Sequence, residues 1–456
     1  MPRDSETILS NVCTFALEAR YADIPAAVTG RAADLFLDTI GVYIGAHRVD
    51  AAPIVREMAA TLFSATGNGA SVRIPLDGRP ASIPGAAYAF ASQTDNLDGH
   101  DGYAPIKGHA GVSIFAALIA FAQDKGRGPV DGHEALACSV IGYEIACRAG
   151  LALHGTVSDY HTSGAWNALA VAAMGVRLRG QDADILRQAL GIAEYHGPRS
   201  QMMREIDNPT MLHDGSGWGS LAGTMAVLLA EKGFEGAPAI TIEGDEVAEY
   251  WRDIGSSWLT TEQYVKPYPV CRWAHSPIDA ALYLMTEHGF SHDDIASINI
   301  ASFHEATRLA GGMPATTAQA QYSLDFPVAM ALVHGTVGPE QVVGDALCDA
   351  DAARLVGVMT HSEKDAYNDA FPANRLADVA ITLKDGRELQ SPPFTPAGGV
   401  DKPFDRAGIT DKFHRFADPV VGDARAARIA SAVFALEDEN AELDDVFIEI
   451  LDPVAS

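Results

Sequence analysis

Between about residues 6 and 255 the apolar positions recur at the three- and four-residue spacing of helices, interrupted by Gly, Pro and Asp. The clearest segments are 111–126, 133–153, 163–180 and 218–233. Their near-continuous Ala, Val, Ile and Leu content leaves little polar face, which predicts helices covered on most sides. After about residue 275 the pattern changes. ASINIASF (296–303) reads as a strand, and DVAITL and RELQ, joined by Lys384-Asp385-Gly386, read as a hairpin. The stretches 318–335 and 345–360 read as helices between them. The turn-rich stretch 391–408 reads as a return linker, followed by helices around 409–436. The expected fold class is therefore mainly α with α+β. It comprises a large all-helical domain (1–270 with 405–456) and a smaller α/β domain (271–404).

Composition narrows the possible functions. With 456 residues, 48% of them hydrophobic, the chain can bury a sizeable core. A formal net charge of −28 repels phosphate, so neither nucleic acid nor an anionic membrane is an expected partner, and an anionic substrate needs a local cationic pocket. The five cysteines form no CxxC pair and no zinc-ribbon spacing, which fits a reducing cytoplasm. The acidic N-terminal stretch does not read as a signal peptide, and no apolar run is expected to reach membrane-spanning length. Dinucleotide, P-loop and serine-hydrolase motifs are missing from the sequence.

Four segments hold candidate chemistry. TDNLDGHDGYAPIKGHAG (94–111) packs Asp95, Asp98, His100, Asp101, Lys107 and His109 ahead of an apolar helix. A carboxylate and a histidine there suit acid/base work, and Asp98, His100, Asp101 and His109 are also chemically able to ligate a metal, although their spacing matches no closed site. The plain alternative is a solvated polar loop. In DYHTSGAWNALAVAA, His161 stands at a helix entrance, as a catalytic acid or as a cap residue. GPRSQMMREIDNPTMLHDGSGWGS carries Arg199, Arg204 and His213, where an arginine suits carboxylate recognition or an ordinary surface ion pair. YVKPYPVCRWAHSPIDAAL gathers Lys266, Arg272 and His275 around two prolines, a local cationic enrichment in an acidic chain.

Taken in order, these four segments resemble the MmgE/PrpD family. VKPYPVCRWAHSPIDAA is the closest match, and MPATTAQAQYSLDFPVAMALVHG and PAGGVDKPF are of the family's kind. The resemblance implies a helical domain built from N- and C-terminal parts, an α/β lid, and an active site in the cleft between them, usually within a homodimer. It also implies a metal- and cofactor-free reaction beside a carboxylate of a small di- or tricarboxylic acid: 2-methylcitrate-type dehydration, with epimerisation of the iminodisuccinate kind or cis-aconitate-type decarboxylation as alternatives. Carried over by position, Asp98 or Asp101, His109, His161 and Lys266 line the site, with Arg272 and His275 nearby. Lys107 and Arg199 join the expected substrate-binding set, and His213 the expected catalytic set. Two positions depart from the family pattern. His213 stands where members often have lysine, and Phe326 stands where some have tyrosine, with Tyr322 four positions earlier. A metal-dependent hydrolase and a non-catalytic carboxylate-binding protein are the competing readings.

Overall fold

Polar caps and small residues turn the apolar segments into defined helices. The side chain of Asp131 accepts the backbone N–H of Glu134 at 2.7 Å, Asp182 accepts that of Ile185 at 3.0 Å, and Asp405 accepts that of Gly408 at 2.9 Å, each satisfying a free donor of a first turn. The computed structural model describes residues 4–65, 70–124, 126, 128–309 and 311–454. The first half holds α1 (Asp4–Glu18), α2 (Ala26–Gly45), α3 (Ala51–Leu62), α4 (Ile83–Asp95), α5 (Gly111–Ala122), α6 (Gly132–Thr156), α7 (Gly164–Leu178), α8 (Ala183–His196), α9 (Met202–Asp207), α10 (Ser216–Ala230) and α11 (Ile240–Glu243). A short antiparallel ribbon, β1 (Ser71–Arg73) with β2 (Pro80–Ser82), precedes α4.

Every residue of α5 is buried, and α10 packs against α4, α7 and α8. That close approach requires a bare backbone at Gly219, where a Cβ would lie 2.5 Å from the carbonyl oxygen of Gly164. α6 corrects one expectation from the sequence. It alone among the described residues is long and apolar enough to cross a membrane, yet 94% of its most apolar window is buried inside the fold, as befits a core helix.

The second half holds α12 (His275–His288), β3 (Ile295–Ser302), α13 (His304–Thr307), α14 (Thr317–Gln321), α15 (Asp325–His334), α16 (Ala350–Val356), β4 (Met359–Glu363), α17 (Asp365–Ala370), β5 (Asp378–Leu383) and β6 (Glu388–Gln390). The sheet order is β4-β3-β5-β6, with β3 and β4 parallel and the other pairs antiparallel. The helix expected over 345–360 ends at Val356. Met359 and Thr360 instead pair with Ile298 and Asn299, because β3 offers them an open edge. The helix expected over 318–335 breaks at Tyr322–Leu324, where the Ser323 hydroxyl accepts the Phe326 N–H at 3.2 Å and starts a new helix.

The chain then returns through α18 (Arg406–Val421), α19 (Asp423–Ala435) and α20 (Leu443–Ile450). α18 lies along α2, and Phe413, Ile429, Leu443 and Val446 enter the same apolar core as α2, α5 and α6. A second core gathers Ile298, Ile300, Phe326, Met330, Val379 and Ile381 around the sheet. Leu97, Met202 and Phe416 of the helical part reach into this second core, so the two bodies abut.

Candidate active site

The cleft lies at this junction. Its cavity volume is about 40 Å³, and it is lined among others by Asp98, Lys107, His109, Tyr264, Lys266 and Arg272. Backbone pairing brings the lining together. Gly102 and Tyr264 exchange N–H···O bonds of 3.0 and 2.8 Å, which lays the 98–109 loop beside the 264–272 segment. A side chain at Gly102 would collide with the Tyr264 ring, its Cβ 2.4 Å from the phenol oxygen. Among the described residues Asp98, Lys107 and His213 are three of the five non-glycine residues in left-handed backbone conformations, with φ of 51°, 51° and 44°. Such conformations persist only where surrounding structure enforces them, and they concentrate at binding and catalytic sites.

Lys266 is buried, and its Nζ contacts Asp98 Oδ1 at 2.5 Å and the Asp98 carbonyl at 3.0 Å. Burial disfavours the ammonium, but the Asp98 carboxylate outweighs it and holds the lysine above its usual range. His109 is clamped by α7: its N–H donates to Ser163 Oγ at 2.9 Å, and its carbonyl accepts Asn167 Nδ2 at 2.8 Å. Its Nδ1 meets the carbonyl of Asp101, so Nδ1 carries the proton and Nε2 presents the lone pair. That Nε2 stands 3.3 Å from Asp214 Oδ2. Burial first, then His100 and Lys266, push the imidazole well below the usual histidine range, keeping it neutral. Burial, then the neighbouring Asp95 and Asp98, push the Asp214 carboxyl up to about 7. Below about pH 7 the proton of the pair therefore resides on Asp214 and not on His109.

Asp214 and Glu205 are site residues that the sequence reading did not single out. Asp214 follows His213 in a turn before a helix, and only its acceptance of the Ser163 hydroxyl at 3.0 Å places it at His109. Glu205 accepts the phenol O–H of Tyr322, itself a lining residue, so the tyrosine is fixed at the cleft wall while Phe326 lies in the core of α15. Arg375, from the loop after α17, is a third such residue and also lines the cleft.

The structure draws some expected residues away from the lining. His213 borders a neighbouring chamber with Asn96 and Thr317, its ring 5.6 Å from Tyr322. His275 is fully buried and hydrogen bonds the Val270 carbonyl at 3.0 Å, holding the turn that carries Arg272. Arg199 is exposed, outside the lining. Asp101 accepts the Tyr143 hydroxyl at 2.7 Å behind His109, with burial raising its carboxyl to about 7. His161 follows the lining residue Tyr160; its backbone N–H meets His154 Nε2 at 3.2 Å, and its buried Nδ1 has no hydrogen-bond partner among the described residues.

Asp98, His100 and His109 stand close enough to offer one atom each to an ion. One atom of each is already engaged, Asp98 Oδ1 by the Lys266 ammonium at 2.5 Å, His100 Nε2 by Asp95 at 3.2 Å and His109 Nδ1 by a carbonyl, while Asp98 Oδ2 and His100 Nδ1 have no hydrogen-bond partner among the described residues. A larger, more open cavity bordered by Arg73, Gln123, Phe447 and Leu451 has only partly or fully exposed polar groups among its described lining.

A cleft with a neutral histidine backed by a carboxyl, and with lysine and arginine lining the same space, suits acid/base work on an anion. The chain belongs to the MmgE/PrpD family: the family model for the MmgE/PrpD N-terminal domain matches residues 10–249, and that for the C-terminal domain matches 268–438. A cis-aconitate decarboxylase-like protein of Aspergillus oryzae is 24% identical over 94% of both chains. A cis-aconitate decarboxylase of Aspergillus terreus is 23% identical over 94% of this chain and 93% of its own. These relationships support a lyase of dehydratase or decarboxylase type at the level of the family.

Proposed function

We propose that the protein is a cytoplasmic, cofactor-independent lyase that removes a proton next to a carboxylate of a small di- or tricarboxylic acid, with dehydration of a hydroxy acid as the outcome. The single observation that carries this is the cleft's charge. Lys107, Lys266, Arg272 and Arg375 line it against one carboxylate, Asp98, in a chain of net charge −28. Such a pocket attracts an acid that the rest of the molecule repels.

His109 is the base of this reading: its Nε2 takes the proton once Asp214, 3.3 Å from that nitrogen, is ionised, and the nearby carboxylate stabilises the imidazolium that results. Negative charge develops on the substrate carboxylate, where Lys266 and Arg272 interact more strongly with the transition state than with the ground state. His161, next in sequence to the lining residue Tyr160, is assigned in this reading to protonate the departing hydroxyl. A homodimer belongs to the same reading.

Decarboxylation is the second reading, favoured by the names of the two Aspergillus relatives. Proton NMR in D₂O, with and without chelator, separates the readings across 2-methylcitrate, citrate, cis-aconitate and iminodisuccinate. A new alkene from a hydroxy acid supports dehydration, and loss of one carboxyl from cis-aconitate supports decarboxylation. Solvent deuterium at the carbon of iminodisuccinate without a new alkene supports epimerisation. Turnover abolished by chelator overturns the cofactor-independent reading.

A further inference from the structure

Among the described residues four arginines are buried to 9% exposure or less: Arg56, Arg148, Arg272 and Arg375. Two have carboxylate partners, Arg56 with Asp77 at 3.6 Å and Arg148 with Glu144 at 2.8 Å. The other two have none. Arg272 stacks its guanidinium 3.9 Å over the Tyr264 ring and reaches only the Ala397 carbonyl, at 3.4 Å. Asp279, whose field reaches Arg272, instead accepts from the Tyr268 hydroxyl at 2.8 Å and the Ala397 N–H at 3.4 Å. Among the described residues the Arg375 side chain has no hydrogen-bond or ion-pair partner, although its backbone is pinned by the Ser276 hydroxyl donating to its carbonyl at 2.6 Å. A chain with 60 acidic residues leaves two buried guanidinium groups on the same cleft without a carboxylate partner, a costly arrangement unless an anion completes it. Both border the inner cleft and also an outer chamber of about 180 Å³ that Thr395, Gly399 and Lys402 help to line. They therefore stand at the end of the cleft where it meets the outer chamber.

We propose that Arg375 is a substrate-binding residue that, together with Arg272, receives the carboxylate farther from the reacting carbon, so that the enzyme selects acids with at least two carboxylates. This rests on the lyase reading and adds to it an address for the second charge. Burial is the main cause that brings Arg272 down to about 10, opposed by Tyr264, and Arg375 adds a smaller repulsion that an incoming carboxylate relieves. A planar guanidinium pair suits a carboxylate in two-point contact, which a lysine matches only as a point charge.

The test is binding without turnover, by NMR titration of wild type, Arg375→Gln and Arg375→Lys with tricarballylate, succinate and butyrate. The expected result is that Arg375→Gln weakens tricarballylate and succinate by about 10- to 100-fold and leaves butyrate unchanged, with Arg375→Lys in between. If Arg375→Gln does not fold, the selective weakening in Arg375→Lys gives the same reading. Equal weakening of all three acids, or none, overturns the assignment of Arg375 and leaves the lyase reading standing. A wild-type protein that binds none of the three overturns both.

Discussion

Lys266 Nζ lies 2.5 Å from Asp98 Oδ1, across 168 positions of sequence. Both groups are buried, so each is the other's main neutralising partner. Asp98→Ala leaves a buried ammonium uncompensated and is expected to cost about 3–5 kcal/mol in urea unfolding. Lys266→Met removes a carboxylate contact strengthened in the transition state, and is expected to lower kcat/KM by about 10²–10³-fold while the fold persists by circular dichroism.

His109→Gln is expected to lower kcat by about 10²–10⁴-fold, as loss of the proton acceptor should. The base form of the pair needs Asp214 ionised, and its carboxyl is pushed up to about 7. In wild type, kcat/KM should therefore rise as pH increases through about 7 and level off above it. Asp214→Asn should remove that limb from the pH profile. An unchanged limb in the Asn variant would assign it to another group.

His161→Ala tests the second proton transfer. A loss of about 10²–10⁴-fold in turnover is expected, and nearly full activity would exclude His161 from the mechanism. Rescue of the variant by added imidazole would identify proton transfer, because restored packing alone gives no dependence on the pKa of the rescuing base.

His213 makes an acid-stability prediction. Burial, then the nearby Lys266, lower it from 6.5 to about 3, so below pH 6.5 the unfolded chain takes a proton there that the folded chain refuses. The stability it contributes is full above pH 6.5 and is lost as the pH falls toward about 3. Asp95, Asp101 and Asp214 act in the opposite sense: each rises from 3.8 to about 7, so the folded chain takes their protons first in that window. A difference measurement isolates the histidine. Between pH 6 and 4, the slope of stability against pH should be more positive in wild type than in His213→Gln by about 1.4 kcal/mol per pH unit.

The helical half was legible because its segments are long, apolar and punctuated by caps: the stretch 133–153 lies within Gly132–Thr156, and 163–180 closely brackets Gly164–Leu178. Shorter elements escaped. The three-residue strands β1 and β2 carry too few positions to show a period, and Met359–Glu363 became a strand only because β3 lay beside it. The 98–109 loop and the 264–272 segment stood out by their residue types, and Asp98, Lys107, His109, Lys266 and Arg272 meet in one cleft. Asp214, Glu205 and Arg375 carried no such signal, since a lone acid or arginine in a loop is ordinary until its neighbours are known.

The sequence by itself determined which stretches become helices, that the protein repels large anions, and which family it joins, because periodicity, net charge and motif order are properties of the chain. Which acid faces which base was decided only by the tertiary structure. Proton transfer and charge pairing act over about 3 Å, and the residues involved, such as His109 with Asp214 or Arg272 with Arg375, are brought together by the packing of α7, α10 and the smaller domain's loops.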